Sequence, residues 1–164
     1  MESNITLDAT DLQLLELLQQ DAAQSNQQLA ARVGVSPATC LRRVRRLQDG
    51  GLIARQVALL SHDALAAALG HGLTALVEVS LDRQGAEHLD AFEARAVAQA
   101  AVLQCWRVSP GPDFMLVVRT HDMPGYLALA QQLFTQDANV RNVRAFFATK
   151  CAKFDTKLPI RLAG

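Results

Sequence analysis

The sequence of 164 residues predicts an α+β fold, with a helical N-terminal part followed by a part in which strands and helices alternate. Over the first 50 residues, apolar side chains recur at helical spacing between residues that start and stop helices. From Leu73 onward, apolar and polar residues alternate in the manner of half-buried strands. We therefore expect a helical domain over residues 1–52, a strand and linker over 53–72, and a second domain over 73–164.

Two helices are predicted before residue 35. The first is opened by Asp8 or Thr10, runs to about Gln20 and carries a wide stripe of leucines. The second is capped by Ser25 or Asn26 and ends near Val33. Gly34 follows it and can adopt the positive φ of a tight turn, which predicts a sharp reversal into the next element.

The third predicted helix carries the strongest functional signal. Ser36 is a good N-cap, Pro37 suits the first helical position, and the Asp49-Gly50-Gly51 run is a stop signal. Its apolar positions are expected to face inward: Cys40, Leu41, Val44 and Leu47. Four arginines occupy much of the remaining surface: Arg42, Arg43, Arg45 and Arg46. A helix-turn-helix with such a second helix indicates DNA reading, whereas the alternative is a solvated charged helix in another small helical domain.

The zero net charge conceals an asymmetry. Residues 1–31 hold five acids and no Lys or Arg, while residues 32–60 hold six arginines and one acid, Asp49. Attraction to DNA should therefore be confined to one basic face. Cysteines 40, 105 and 151 show neither metal nor disulfide spacing, which favours reduced thiols in a cytoplasmic protein. The sequence contains neither a signal-peptide layout nor an apolar run long enough for a membrane span.

The C-terminal part is predicted to contain six elements. Strands are expected at Leu73–Leu81, Val102–Val108, Phe114–Thr120 and Val140–Lys150, with helices over about 85–100 and 123–136. The order β-α-β-β-α-β is the ferredoxin-like arrangement, in which helices cover one face of an antiparallel sheet. An apolar second face favours a second copy of the chain as its partner. Between the two parts, Leu52–Leu60 alternates like a strand that forms a wing or a linker, and residues 61–72 predict a short helix and loop.

The stretches SPATCLRRVRRLQDGGLI, VSPGPDFMLVVRTHDMPGY and KFDTKLP resemble the Lrp/AsnC ("feast/famine") transcriptional regulators, over nearly the whole chain. The resemblance implies a winged helix-turn-helix joined to a ferredoxin-like RAM domain, and double-stranded DNA as a partner. It also implies a homodimer, often assembled to a tetramer or octamer. A small-molecule effector, usually an amino acid, would bind in the crevice between C-terminal domains.

The resemblance also implies which residues of this chain occupy the family's functional positions. The DNA-facing set would be Ser36, Pro37, Thr39, Arg42, Arg43, Arg45 and Arg46. Of these, Arg42 or Arg43 suits base contact, and Ser36, Arg45 and Arg46 suit phosphate. The effector-binding set would be Gly111, Asp113, Phe114, Asp122 and Met123. Pro110 and Pro112 remove N–H donors that the family's loop would offer a carboxylate, which departs from a standard amino-acid site. The alternative is that Asp113 holds a turn and Asp122 caps a helix, without contact to a ligand.

Siroheme decarboxylases share this architecture and are the alternative reading. They bind a tetrapyrrole and depend on histidines and arginines around it, whereas this chain keeps an arginine-rich recognition helix and scatters its four histidines: His62, His71, His88 and His121. We therefore expect a regulator, with no enzymatic activity, no cofactor and no metal site.

Overall fold

The computed structural model describes residues 6–70 and 72–160 of the chain, and these form two compact units. The N-terminal unit contains the described residues up to Leu59 together with those from Lys153 onward. The C-terminal unit spans Leu60–Ala152. Within the described ranges, none of the helices is both long and apolar enough to cross a membrane.

Three short helices build the N-terminal unit: α1 (Ala9–Gln20), α2 (Asn26–Val33) and α3 (Pro37–Asp49). Each begins at a side-chain cap, provided by Asp8, Ser25 and Ser36 respectively. Gly34 ends α2 with φ of +71°, a conformation that an L side chain would strain. The predicted helix-turn-helix is thus confirmed, including the residues that start and stop its helices.

The apolar faces of the three helices meet in one core of fully or nearly fully buried residues: Leu14, Leu29, Ala30, Cys40 and Leu47. Val44 packs against this core as predicted. The prediction that Leu41 faces inward is wrong, because 41% of that residue is exposed. Successive residues of a helix are about 100° apart around its axis, so Leu41 points well away from the direction in which Cys40 is buried.

The C-terminal tail packs on α1. Gln19 and Leu158 exchange two hydrogen bonds, from Gln19 Nε2 to the Leu158 carbonyl (3.1 Å) and from the Leu158 N–H to Gln19 Oε1 (2.6 Å). One turn earlier, Glu16 forms an ion pair with Lys157. These contacts explain why the tail belongs to the N-terminal unit although it follows the C-terminal unit in sequence.

The strand predicted over Leu52–Leu60 is absent from the described part of the chain. Only its start is held, because the N–H groups of Leu52 and Ile53 both donate to the Leu47 carbonyl. Val57, Leu59 and Leu60 are exposed. A strand requires a second backbone to pair with, and the sequence alternation could not show that the chain offers none here.

The C-terminal unit begins with a short helix, α4 (His62–Leu69). Six elements follow in the predicted order: β1 (Leu73–Leu81), α5 (Ala86–Val97), β2 (Val102–Arg107), β3 (Phe114–Thr120), α6 (Met123–Ala130), which continues through a π-helical turn (Gln131–Thr135), and β4 (Val140–Phe147). The strands form one antiparallel sheet in the order β2-β3-β1-β4. This topology confirms the ferredoxin-like prediction.

The two faces of the sheet differ sharply. Val79 of β1 and Leu116 of β3 lie on the face that packs against the helices, where both are buried. Alternate residues point to the other face. There Leu76 pairs in register with Val117 and with Phe146, and Leu76 and Phe146 are 44% and 45% exposed. The second face is therefore apolar and open in the single chain.

Candidate DNA-reading helix and effector residues

The start of α3 is fixed by side chains from both sides of the turn. Ser36 Oγ accepts the Thr39 N–H at 3.2 Å and its hydroxyl donates to Thr39 Oγ1 at 2.9 Å. From α2, the Asn26 amide donates to the Pro37 carbonyl at 2.7 Å. The hydroxyls of Ser36 and Thr39 are therefore engaged at the start of the helix. Pro37 has no N–H and the N–H groups of Thr39 and Cys40 bond to Ser36, so in the first turn only the Ala38 N–H has no bond to the described residues.

Asp11 of α1 is a fully buried acid beneath α3. Its Oδ1 accepts from Arg43 at 2.8 Å, its Oδ2 accepts from Arg46, and Arg43 also reaches Asp8 at 2.7 Å. Burial raises the pKa of Asp11, but the hydrogen bonds from the Asp8 N–H, Arg46 and Arg43 outweigh it and hold the pKa below its ordinary value. Two recognition-helix arginines are thus directed back onto α1.

The other two arginines behave differently. Arg42 and Arg45 are exposed, one helical turn apart, and no ion pair to either is present among the described residues. They border a shallow concave surface along α3, lined by Ala38, Leu41, Arg42, Arg45, Arg46, Asp49 and Gly50. The structure therefore separates the four arginines by partner: Arg43 and Arg46 bind Asp11, although the Arg46 side chain remains 45% exposed, whereas Arg42 and Arg45 form no ion pair with the described residues.

The two acids of the predicted effector set lie far apart in the chain's own fold. Asp113 precedes β3 and Asp122 follows it, so the seven residues of the strand separate them by about 20 Å. Gly111 lies at the Asp113 end, and Met123 lies at the Asp122 end. A single amino acid cannot touch both acids of one chain.

Both acids also have local structural partners. Asp113 Oδ2 accepts the Leu81 N–H at 2.6 Å, and the Asp113 N–H donates to the Val79 carbonyl at 2.9 Å. Asp122 caps α6 by accepting the Gly125 N–H at 2.8 Å, and its Oδ2 lies 3.2 Å from His121 Nδ1. These contacts connect strands and start a helix, while Asp113 Oδ1 accepts no hydrogen bond from the described part of the chain.

The two apolar members of the set differ in exposure. Phe114 is fully buried, with its ring centroid 4.8 Å from that of Phe92, so it offers a ligand no surface within the C-terminal unit. Met123 is 41% exposed beside the start of α6. Of the predicted wall, only Met123 is accessible in the single chain.

The histidines provide no metal centre in the described ranges, where no group of three or more His, Cys, Asp or Glu side chains could hold an ion. His88 lies 3.6 Å from Glu87 and His121 adjoins Asp122. His71 lies outside the described residues.

Asp8 and Asp11 were not predicted from the sequence as partners of α3. Their spacing of three residues places both carboxylates on the same side at the start of α1, which is the signal that could have indicated them.

A capped recognition helix with outward arginines, joined to a separate ferredoxin-like domain, defines the class of helix-turn-helix transcriptional regulators. Residues 7–54 match the winged helix-turn-helix DNA-binding family, and residues 74–158 match the Lrp/AsnC ligand binding domain. The chain belongs to the Lrp/AsnC family of transcriptional regulators.

Similar proteins share nearly the full length of the chain. The leucine-responsive regulatory protein of Rhizobium meliloti (strain 1021) is 36% identical over 93% of this chain and 96% of its own. The DNA-binding transcriptional activator DecR of Escherichia coli (strain K12) is 33% identical over 94% and 99%. A transcriptional regulator from Neisseria meningitidis, solved in complex with L-Met, superposes with a TM-score of 0.82 at 30% identity, covering 94% of this chain and 97% of that one.

Proposed function

We propose that this regulator contacts DNA through the outward face of α3, with Arg42 and Arg45 as the cations that reach the duplex. The observation that carries the proposal is the division of the arginines, because Arg43 and Arg46 already share a buried carboxylate. Ser36, Pro37 and Thr39 form the helix N-terminus, where the Ala38 N–H and the positive end of the helix dipole suit a phosphate. In this proposal Arg43 and Arg46 hold α3 on α1 and contribute little to the charge that DNA meets.

Salt dependence separates the two pairs of arginines. The logarithm of the binding constant falls with the logarithm of salt concentration by about 0.9 for each phosphate neutralised. We expect Arg45→Gln to flatten the slope by about that amount per subunit, and Arg43→Gln to leave the slope unchanged even where affinity falls. Fluorescence anisotropy on a non-specific duplex at four salt concentrations measures both. Equal slope changes in the two variants would contradict the proposed division.

Arg42 is proposed to read a base. It lies in the second turn of α3, and the N-terminal residues of a recognition helix approach the base edges. A guanidinium can contact guanine O6 and N7 together, so Arg42→Gln should cost about 1–3 kcal/mol at the selected site and relax the preference at one position. Competition between the selected duplex and a scrambled duplex measures this, with Arg45→Gln as the comparison that weakens both duplexes alike.

We further propose that the chain acts as a cytoplasmic homodimer, joined through the open sheet face and assembling to a tetramer or octamer. Such an assembly is also what an effector site would require, because one chain separates Asp113 from Asp122. The effector is proposed to be an amino acid, and the L-Met complex of the Neisseria meningitidis regulator supports an apolar one. Met123 would provide an apolar surface for such a side chain.

Isothermal titration calorimetry with each of the twenty amino acids at millimolar concentration tests the effector proposal. A binder should also shift DNA affinity, and its effect should be lost separately in Asp113→Asn and in Asp122→Asn if both ends of β3 contribute from different copies. Asp90→Asn, at an exposed carboxylate of α5 that pairs with Arg107 away from the open sheet face, is the matched control. Binding that survives both Asp substitutions would place the effector elsewhere.

A further inference from the structure

Leu41 occupies an unusual place for an apolar residue. It is 41% exposed, and it lies with Ala38, Arg42 and Arg45 on the concave surface of α3. A position three residues later on the same helix, Val44, packs into the core. The exposed leucine is thus part of the outward face and is not among the described residues that pack on the core of the unit.

The surroundings indicate what kind of partner this leucine meets. The neighbouring cations, Arg42 and Arg45, suit a polyanion. Burying Leu41 against an apolar protein surface would also desolvate both guanidinium groups at considerable cost in free energy. Double-stranded DNA carries negative phosphates at the groove edges and one apolar group among its bases, the 5-methyl group of thymine in the major groove. Charge complementarity therefore favours the duplex over a protein partner.

Position along the helix agrees with this assignment. Leu41 is the fifth residue of α3 and follows the cap at Ser36 by five positions. In helix-turn-helix proteins, the first two turns of the recognition helix enter the major groove, whereas later turns approach the backbone. Leu41 and Arg42 lie in that inserted part, and Arg45 lies one turn further on.

We propose that Leu41 determines part of the DNA sequence specificity by packing on the 5-methyl group of one thymine in each half-site. This inference rests on the proposed use of the outward face of α3. Arg42 and Leu41 then read neighbouring base pairs by different means, one by hydrogen bonds and the other by apolar contact. Removing one methyl group from the contact should lower affinity about four-fold per half-site.

Replacing thymine by deoxyuridine tests the proposal, because it deletes only the methyl group and keeps every hydrogen-bonding atom. A duplex is first selected by the full-length protein from a random pool, and each of its thymines is then replaced singly. We expect one position per half-site to show the four-fold loss with the wild-type protein. Leu41→Ala should bind the thymine and deoxyuridine forms of that position equally.

Leu52→Ala is the matched control, since Leu52 is 45% exposed and lies outside α3. It should retain the full discrimination of the wild type. The proposal is overturned if no thymine position responds to deoxyuridine, or if Leu41→Ala keeps the wild-type pattern of losses. A chain in which Arg42→Gln and Arg45→Gln leave DNA binding unchanged would instead overturn the assignment of the outward face itself.

Discussion

Replacing Asp11 with alanine removes the acceptor that Arg43 and Arg46 share inside the N-terminal unit. Breaking a buried ion pair by deleting one partner typically costs 3–5 kcal/mol, because the other charge loses its compensation. Here Arg43 keeps its contact with Asp8, and the Arg46 side chain is 45% exposed and can be solvated by water. We therefore expect a loss of about 2–4 kcal/mol in the free energy of unfolding of this unit.

Hydrogen exchange measured by mass spectrometry on the full-length chain reports this loss unit by unit. A loss of that size corresponds to an increase of about 30- to 1,000-fold in the opening equilibrium, seen as faster exchange in peptides from α1 and α3. Peptides from β1 and β3 provide an internal reference and should be unchanged. Tryptophan fluorescence would not serve, because the single tryptophan, Trp106, lies in β2 of the other unit.

Asp49→Ala is the control for removing an acid from the same unit. Asp49 is exposed and forms no ion pair with the described residues, so its removal should change the unfolding free energy by no more than about 0.5 kcal/mol. If the two variants exchange at the same rate in α1 and α3, the buried cluster does not hold these helices together. The assignment of Arg43 and Arg46 as the arginines that hold α3 on α1 would then fail.

Two further predictions concern pH and assembly. The folded-state pKa of Asp11 is lowered, so the ionised carboxylate stabilises the folded unit above its unfolded pKa near 3.8, and this stabilisation is lost as pH falls through the lower folded value. In thermal unfolding, the decrease in melting temperature between pH 6 and pH 3 should therefore be smaller for Asp11→Asn than for the wild type. Val117→Asp should separate the proposed homodimer into folded monomers, whereas Val79→Asp, on the buried face, should unfold the C-terminal unit. Sedimentation and circular dichroism distinguish these results, and a Val117→Asp dimer of unchanged affinity would refute the proposed sheet-face interface.

Local signals were sufficient to predict most of the fold. The caps Asp8, Ser25 and Ser36 depend on side chains within three residues of the groups they bind, and sequence displays such spacing directly. The alternation of β1 and β3 also indicated strands, but it could not decide whether Val79 or Val117 faced the helices. That choice depends on the register between strands, which only the folded sheet defines.

The candidate sites were less predictable because they depend on contacts between distant residues. Whether Arg43 points to DNA or to α1 is decided by an acid 32 residues earlier in the chain. Likewise, Asp113 and Asp122 are close in sequence but lie at opposite ends of β3, because a strand rises about 3.3 Å per residue, roughly twice the rise of a helix. The sequence therefore indicated which arginines and acids were candidates, but not towards which partner each side chain points.

The packing of the tail on Gln19 has a practical consequence for dissecting the protein. A fragment cut near residue 60 would lack the Leu158 backbone that completes the surface of α1, although it would contain all three helices. A synthetic peptide of residues 153–160, added in solution, should restore to such a fragment the stability that the N-terminal unit has in the whole protein. Residues 153–160 are translated long after α1, so during synthesis the N-terminal unit reaches its final form only once this tail segment has left the ribosome.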